Sequence, residues 1–183
     1  MIIAYASQHI DDNIFWETID KGLPTEFPVV ATFSIDVTKS KDDKEPTLLV
    51  HFPPGDGPEV KGVARKDGKW FEGITTPNCS MSDIALDRAL LTKNPYLIGV
   101  ALHTYADTWA HQGFAACVHD CNESPNSYGM YKALTKLGHA RVGHYPDWPV
   151  IWRDDRLVRG CRINNKHRFK QAAKHIAKKQ IGR

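Results

Sequence analysis

The feature that most constrains this chain is an apolar run, LIGVALHTYADTWAHQGF at positions 97–114, that carries three regularly spaced polar side chains. His103, Asp107 and His111 are four residues apart, so on a helix each is rotated by only about 40° from the one before and all three share a face. Two imidazoles and a carboxylate supply N and O lone pairs, which suit a divalent transition metal. Polar groups on an apolar helix are also unfavourable unless they are bonded or ligated. The run therefore predicts a helix that carries part of a metal site.

The rest of the chain predicts a mainly α protein, a helical bundle with a small β-like insertion at about residues 28–75. The β-prone runs VVATFSIDV and TLLVHF belong to this insertion. Ser80 resembles a helix N-cap, and Pro95 suits a first helical turn. The helices are expected at residues 1–20, 81–92, 95–113, 128–144 and in the C-terminal tail. With 183 residues, of which 42% are hydrophobic, we expect one domain, residues 1–183, with its own core.

Composition excludes several classes of protein. No run of 18 apolar residues is present, so no membrane span is expected. The N-terminal residues lack the basic region and the long apolar stretch of a secretory signal, which makes the cytoplasm the default location unless a leader was removed. Four cysteines are too few for a disulfide scaffold, and the C-x3-C spacing of Cys117 and Cys121 is a weak metal signal. The oligomeric state is not indicated by the sequence.

The C-terminal tail concentrates positive charge. Eight of the 24 Lys and Arg residues lie at positions 160–183, where there is no Asp or Glu. Phe169, Ala172, Ala173 and Ile176 follow helical spacing, which predicts an amphipathic helix. Its basic face could meet phosphates, including those of a nucleic acid, or an acidic partner. The alternative is a solvated surface that complements the helix's own C-terminus.

A second group of candidate ligands lies in GHARVGHYPDW, residues 138–148. His139 is expected to end a helix, and Gly138 lets it approach a metal closely. His144 and Asp147 follow in a turn that can fold back toward the same site. Asp147 could instead be a cap or turn residue.

Further candidates lie near the N-terminus and at the end of a predicted strand. His9 and Asp12 are three residues apart and would share a helix face, and either Asp11 or Asp12 could complete the metal shell. Adjacent aspartates are otherwise common as exposed or capping residues. His51 follows the run TLLV and is a further candidate ligand, although a lone histidine at a strand end is more often structural.

Together these residues exceed the four ligands that one closed site needs, which favours a catalytic site with one to three ions. Asp107 could bridge two ions. A set rich in His and Asp, without thiolate, suits zinc, with manganese and iron as alternatives.

The motifs LHTYADTWAHQGF, LGHARVGHYPDWP and RINNKHRFKQAA resemble those of a family of bacterial proteins without an assigned reaction. Those proteins share a helix of the type LHTYxDTWxHQxF and a later GHxxxxxxPD element. The opening IAYASQHIDD and the later segment VHFPP also match segments of those proteins. The family usually has a further histidine-bearing helix before the SQxxDD segment. This chain lacks that helix, and His9 could replace its ligand.

More distantly, HxxxD followed by a later His is similar to the zinc-dependent phospholipase C and single-strand nuclease superfamily. That resemblance implies an all-α fold, three zinc ions and cleavage of phosphodiesters, with His103 and Asp107 as ligands. The gap from Asp107 to His111 is shorter than the superfamily's usual one. Met1 stands where that superfamily uses a processed N-terminal Trp as a ligand.

We expect a metal-dependent hydrolase that acts on a small-molecule phosphoester or a phosphodiester through a metal-activated water. His144 or Asp147 would act as general acid or base, and Arg141 would bind substrate phosphate. The alternative is a non-catalytic protein that binds a ligand or a partner and whose metal is structural.

Overall fold

The computed structural model describes residues 7, 16–20, 23–27, 49–60, 64–125, 127, 129–158 and 162–181. The protein is mainly α, as predicted. Within the described residues, three long helices are present, α1 (Ser80–Thr92), α2 (Pro95–Ala110) and α3 (Asn165–Ile181). The strands of the same part form two antiparallel pairs, β1 (Trp16–Asp20) with β2 (Leu23–Phe27) and β3 (Ile151–Trp152) with β4 (Ile163–Asn164).

The start of α1 is stabilised by a residue from a distant loop. Ser80, the predicted N-cap, is instead the first helical residue, and Cys79 before it makes no side-chain cap. Both carboxylate oxygens of Asp56 accept from the Ser80 N–H, at 2.9 and 3.0 Å. A carboxylate at a helix N-terminus satisfies an unpaired N–H and interacts favourably with the helix dipole. Asp56 thus ties the loop after His51 to the first helix.

Helix α2, which carries the predicted stripe, starts as its sequence predicts. Pro95 occupies the first turn, and the Asn94 side chain accepts from the Tyr96 N–H at 2.9 Å and from the Leu97 N–H at 3.4 Å. The helix ends at Ala110, so the predicted boundary of 113 was three residues too long. His111 already lies beyond the helix, and Gly113, at a φ of +84°, continues the turn.

The three helices pack in sequence order, α1 on α2 and α2 on α3. The core between them contains Leu86, Ile98 and Tyr105, and Ile176 of α3 packs against it. The far end of α3 is joined to α1 by Lys179, whose ammonium lies 2.7 Å from Asp83 and 3.0 Å from Asp87. One face of α3 is therefore fixed over the apolar surface of α1 and α2.

The basic face of α3 points away from this packing. Lys166, Lys170, Lys174 and Lys178 are all exposed and succeed one another at intervals of four residues. The predicted amphipathic helix is thus confirmed, and its interaction with an anionic partner stays a prediction.

Neither α2 nor any other helix in the described part of the chain combines the length and the apolar character that crossing a bilayer requires.

Three local predictions were wrong. Trp16–Asp20 is a strand instead of part of a helix over 1–20, and it pairs along its length with Leu23–Phe27. Residues 49–51, at the end of the predicted strand TLLVHF, are helical. The predicted helix over 128–144 is replaced by short 3-10 turns at Gly129–Ala133 and Ala140–Val142. Two glycines with positive φ interrupt that segment, Gly138 at +49° and Gly143 at +59°, and this backbone conformation cannot continue a right-handed helix. Residues 28–48, the first part of the predicted β-like insertion, lie outside the described residues.

A second core stands between α2 and the C-terminal half of the chain, around Phe52, Phe114, Leu137, Trp152 and Leu157. It is closed by a buried ion pair. The Arg156 guanidinium donates to both carboxylate oxygens of Asp154, at 2.9 and 2.7 Å, and to the Gly113 carbonyl at 3.0 Å. It also lies 3.5 Å above the Phe114 ring. This cluster therefore holds the turn that follows His111.

Asp154→Asn is expected to destabilise the protein by about 3 kcal/mol, since it leaves Arg156 buried without its anion. Burial alone would raise the pKa of Asp154, but the interaction with Arg156 lowers it by more, so the pKa lies below its usual value. The pKa of Asp154 is therefore lower in the folded state than in the unfolded state. The carboxylate contributes fully to the free energy of unfolding above the unfolded-state pKa, and this contribution is lost as the pH falls through the folded-state pKa. Urea unfolding from pH 7 to pH 3 should show less acid sensitivity in the variant.

The matched control is Asp155→Asn. Asp155 pairs with Arg153, whose side chain is 68% exposed, so the change should stay within about 1 kcal/mol. Equal effects of the two substitutions would contradict a structural role for the buried pair.

Candidate metal centre

The stripe predicted on α2 is present, but its three side chains divide between two clusters. His103 and Asp107 lie one turn apart, and His103 Nε2 is 3.1 Å from Asp107 Oδ2. His111 stands beyond the helix end, and its Nδ1 is 3.8 Å from the same oxygen. Because the helix ends at Ala110, the other ring nitrogen of His111, Nε2, faces the carboxylate of Asp147.

His51, His103 and Asp107 form the first cluster, here called the inner triad. His51 Nδ1 lies 2.8 Å from Asp107 Oδ2 and 3.2 Å from His103 Nε2, which with the 3.1 Å separation of His103 and Asp107 completes a triangle. A tetrahedral site with metal–ligand bonds of about 2.0–2.1 Å has donor–donor edges of about 3.3 Å. Both histidines are buried. The edges of the triangle, 2.8 to 3.2 Å, are slightly shorter than those of a zinc coordination shell, so the three side chains would move apart by a few tenths of an ångström to hold an ion.

His111, His139 and Asp147 form the second cluster, the outer triad. His111 Nε2 is 2.8 Å from Asp147 Oδ1, and His139 Nε2 is 3.4 Å from Asp147 Oδ2. The opposite nitrogen of each ring faces a backbone carbonyl, His111 Nδ1 at 2.8 Å from His51 O and His139 Nδ1 at 2.8 Å from Gly143 O. A ring nitrogen that donates to a carbonyl fixes the tautomer in which the other nitrogen is a ligand.

The His111–His51 hydrogen bond also joins the two triads. It connects the end of α2 to the helical turn at 49–51, so neither histidine can be displaced without disturbing the other. The Phe52 ring stacks on the His111 ring, with centroids 4.6 Å apart, and lies 5.7 Å from the His139 ring. Phe52 thus supports both imidazoles of the outer triad.

His139 reaches the site through a glycine turn. A Cβ at Gly138 would lie 2.5 Å from the Phe52 ring, and its φ of +49° is unfavourable for other residues. Glycine therefore allows the chain to pass Phe52 closely and present His139 next to His111. The sequence predicts this close approach through Gly138, although it also predicts a helix that the segment does not form.

The carboxylates and imidazoles strongly perturb each other's protonation. Burial acts to raise the pKa of Asp107, but His111 and His103 lower it far below its usual value. Burial acts to lower the pKa of His111, yet Asp107 and Asp147 raise it to about 9. Burial lowers the pKa of His139 to about 4. In the metal-free protein at neutral pH, His111 is thus a cation between two carboxylates, and His139 is neutral.

All six triad residues line one cavity of about 690 Å³, together with His144. His144 is 67% exposed, its Nδ1 lies 3.7 Å from Asp147 Oδ2, and its ring stacks on Trp148. Asp147, predicted as catalytic, lies among the candidate ligands of the outer triad, and His144 lies beside them. Arg141 does not line the cavity, because its guanidinium contacts the Lys132 carbonyl and Glu123.

The remaining predicted ligands, His9, Asp11 and Asp12, lie outside the described residues. The sequence does not predict Phe52 as a site residue, nor the apolar part of the cavity lining that α3 provides through Phe169, Ala172, Ala173 and Ile176. Their helical spacing had indicated a buried face. Periodicity alone does not distinguish a face that packs in a core from one that borders a cavity.

Comparison with known proteins gives one match. A family model covers residues 1–180. The chain belongs to the Family of unknown function (DUF6765). No curated protein and no solved structure matches it. The expected membership of a family without an assigned reaction is confirmed, whereas the similarity to the phospholipase C and nuclease superfamily finds no support.

Gly138→Ala is expected to destabilise the protein and to weaken metal binding by the outer triad, because the new Cβ would collide with Phe52 and move His139. Gly68→Ala is the matched control: its φ of +63° is similarly unfavourable, but nothing lies within 4 Å of the new Cβ. The control should lose about 1–2 kcal/mol from the backbone alone. Thermal unfolding and metal titration of both variants would separate the two effects. Metal binding of Gly138→Ala equal to that of the control would contradict this account.

Metal binding to the outer triad is expected to release about one proton at pH 7, because His111, with a pKa of about 9, must lose its proton to become a ligand. Affinity should fall by about tenfold for each pH unit between 8 and 6. Calorimetric titration with zinc in buffers of different ionisation enthalpy measures both quantities. His111→Ala should abolish this release, and proton-independent binding by the unaltered protein would contradict the assignment.

Proposed function

We propose that this protein is a metal-dependent hydrolase that cleaves a phosphoester through a metal-activated water. The observation that carries the proposal is the lining of a single cavity by two adjoining triads of metal-ligating side chains, with His144 beside them. Catalytic metal sites combine about three protein ligands with an open position, whereas structural sites are closed by four. Each triad supplies three ligands and borders the cavity.

The donor set limits the choice of metal. Four imidazoles and two carboxylates, without a thiolate, suit zinc, with manganese and iron as alternatives. Two triads imply two ions, within the one to three expected from the sequence. Divalent ions held there would lower the pKa of a bound water and polarise the ester oxygen.

The residues around the triads supply the other requirements of the reaction. In hydrolysis, the activated water releases a proton to solvent and its oxygen bonds to phosphorus, while the P–O bond to the alcohol breaks and the alcohol oxygen takes up a proton. In this proposal His144 delivers that proton, and the support for its role is that it lines the cavity next to Asp147 without belonging to a triad. Asp147 serves as a ligand and orients His111 and His139. Phe52 shields the imidazoles from water on one side.

The alternative function is a non-catalytic binding protein with structural metal. The compact inner triad, with its two buried histidines, favours this alternative for one of the ions. A structural ion would be needed for stability, and its removal would unfold the protein. A catalytic ion would be removable with loss of activity and a smaller loss of stability.

The test compares the unaltered protein with His103→Asn, Asp147→Asn and the control His167→Asn. His167 is an exposed histidine of α3 that bonds Gln171 and does not line the cavity. After zinc loading, mass spectrometry should find about two ions in the unaltered protein and in the control, and fewer in the triad variants. Hydrolysis of bis(4-nitrophenyl) phosphate should fall at least about 100-fold in each triad variant and remain in the control.

Two results would overturn parts of the proposal. A protein that binds no metal, with unchanged stability in chelator, would exclude both the hydrolase and the structural-metal alternative. A protein that binds two ions but hydrolyses no ester across a panel of phosphomonoesters and phosphodiesters would leave the non-catalytic alternative.

A further inference from the structure

The cavity lining contains two chemically different sets of residues. One set is formed by the two triads and His144. The other set, here called the apolar wall, consists of Phe169, Ala172, Ala173 and Ile176 of α3 together with Ala106 and Ala110 of α2. A ligand that fills the cavity therefore meets both metal-binding groups and hydrocarbon.

The alanines of the apolar wall are the reason that space exists between α2 and α3. Four of its six residues are alanine, on two helices that pack against each other. Protein cores normally fill such positions to high density with larger side chains. Farther along the same face of α3, Ile176 reaches the α1–α2 core. The small side chains thus leave a cavity of about 690 Å³, in the size range of small-molecule sites.

The charged side chains that line the cavity belong to the two triads. Among the described residues that line the cavity, none is Lys or Arg. The four exposed lysines of α3 lie on its solvent side, and Arg141 is directed to Glu123 and the Lys132 carbonyl. A second phosphate placed along the apolar wall would lose its hydration without gaining a cation, which is strongly unfavourable.

We propose that the cavity selects a phosphoester with one anionic group, held at the triads, and one apolar arm, held against Ala106, Ala110, Phe169, Ala172, Ala173 and Ile176. This proposal rests on the proposed function for the reaction and on the cavity for the selectivity. It disfavours nucleotides and oligonucleotides as substrates, because their additional phosphates and polar sugars would have to lie on the apolar wall.

The first experiment measures kcat/KM of the zinc-loaded protein on methyl, butyl and octyl 4-nitrophenyl phosphate. Each methylene that becomes fully buried should raise kcat/KM by about fourfold, so the butyl ester should exceed the methyl ester by at least about tenfold. The gain should level off once the arm fills the cavity. Equal values for the three esters would overturn the proposal.

Variants of the apolar wall test where the arm binds. Ala172→Leu and Ala173→Leu each add bulk to the cavity and should reduce the octyl-to-methyl ratio of kcat/KM at least about fivefold. Ala177→Leu is the matched control, since Ala177 is an exposed residue of the same helix that does not line the cavity, and its ratio should not change. Ala172 is buried and Ala173 is exposed, so Ala173→Leu keeps the test valid if Ala172→Leu fails to fold.

A binding measurement separates this proposal from the proposed hydrolysis. Methyl-, butyl- and octylphosphonate are not hydrolysed, and calorimetry of the zinc-loaded protein should show affinity rising with chain length and falling in Ala173→Leu for the octyl compound. This result without ester hydrolysis would support the apolar-arm site and contradict the hydrolase. Hydrolysis with affinities indifferent to chain length would support the hydrolase and contradict the apolar-arm site.

Discussion

The site depends on the interactions of the Asp107 carboxylate, whose side chain is only 15% exposed. Its Oδ2 lies 2.8 Å from His51, 3.1 Å from His103 and 3.8 Å from His111, so residues from the 49–51 turn, from α2 and from the end of α2 meet at one oxygen. A buried carboxylate is strongly unfavourable unless charge or hydrogen bonds compensate it. The three imidazoles provide this compensation and depress the pKa of Asp107. The arrangement therefore requires α2 and the turn to pack closely, and it brings together the side chains that can bind metal.

The parts of the fold that could be predicted are those with strong local signals. Asn94 and Pro95 define the start of α2, and the periodicity around Phe169 defines α3. The segment 128–144 was assigned incorrectly, because its apolar spacing resembles a helix while Gly138 and Gly143 adopt positive φ in tertiary contact with Phe52 and Tyr131. The buried pair of Asp154 and Arg156 could not be anticipated, since nothing local distinguishes DDR from an exposed charged turn.

The candidate ligands were easier to identify from the sequence than their grouping in space. Spacing on α2 indicated His103, Asp107 and His111 as one set, but the helix ends at Ala110, and the turn directs His111 Nε2 to Asp147. His51 precedes His103 by 52 residues in the sequence and joins the site through a hydrogen bond to Asp107. No sequence pattern encodes this contact. The apolar wall escaped prediction because the alanines that create the cavity look, in sequence, like those of an ordinary helix interface.

The central claim is that the two triads bind metal, and anomalous X-ray scattering from crystals grown with zinc tests it most directly. We predict two anomalous peaks at the zinc edge, one at about 2.0–2.2 Å from the ligand atoms of His51, His103 and Asp107, and one at the same distance from those of His111, His139 and Asp147. Each should be bordered by the cavity. The absence of a peak at both triads, or peaks only at surface residues, would contradict the account.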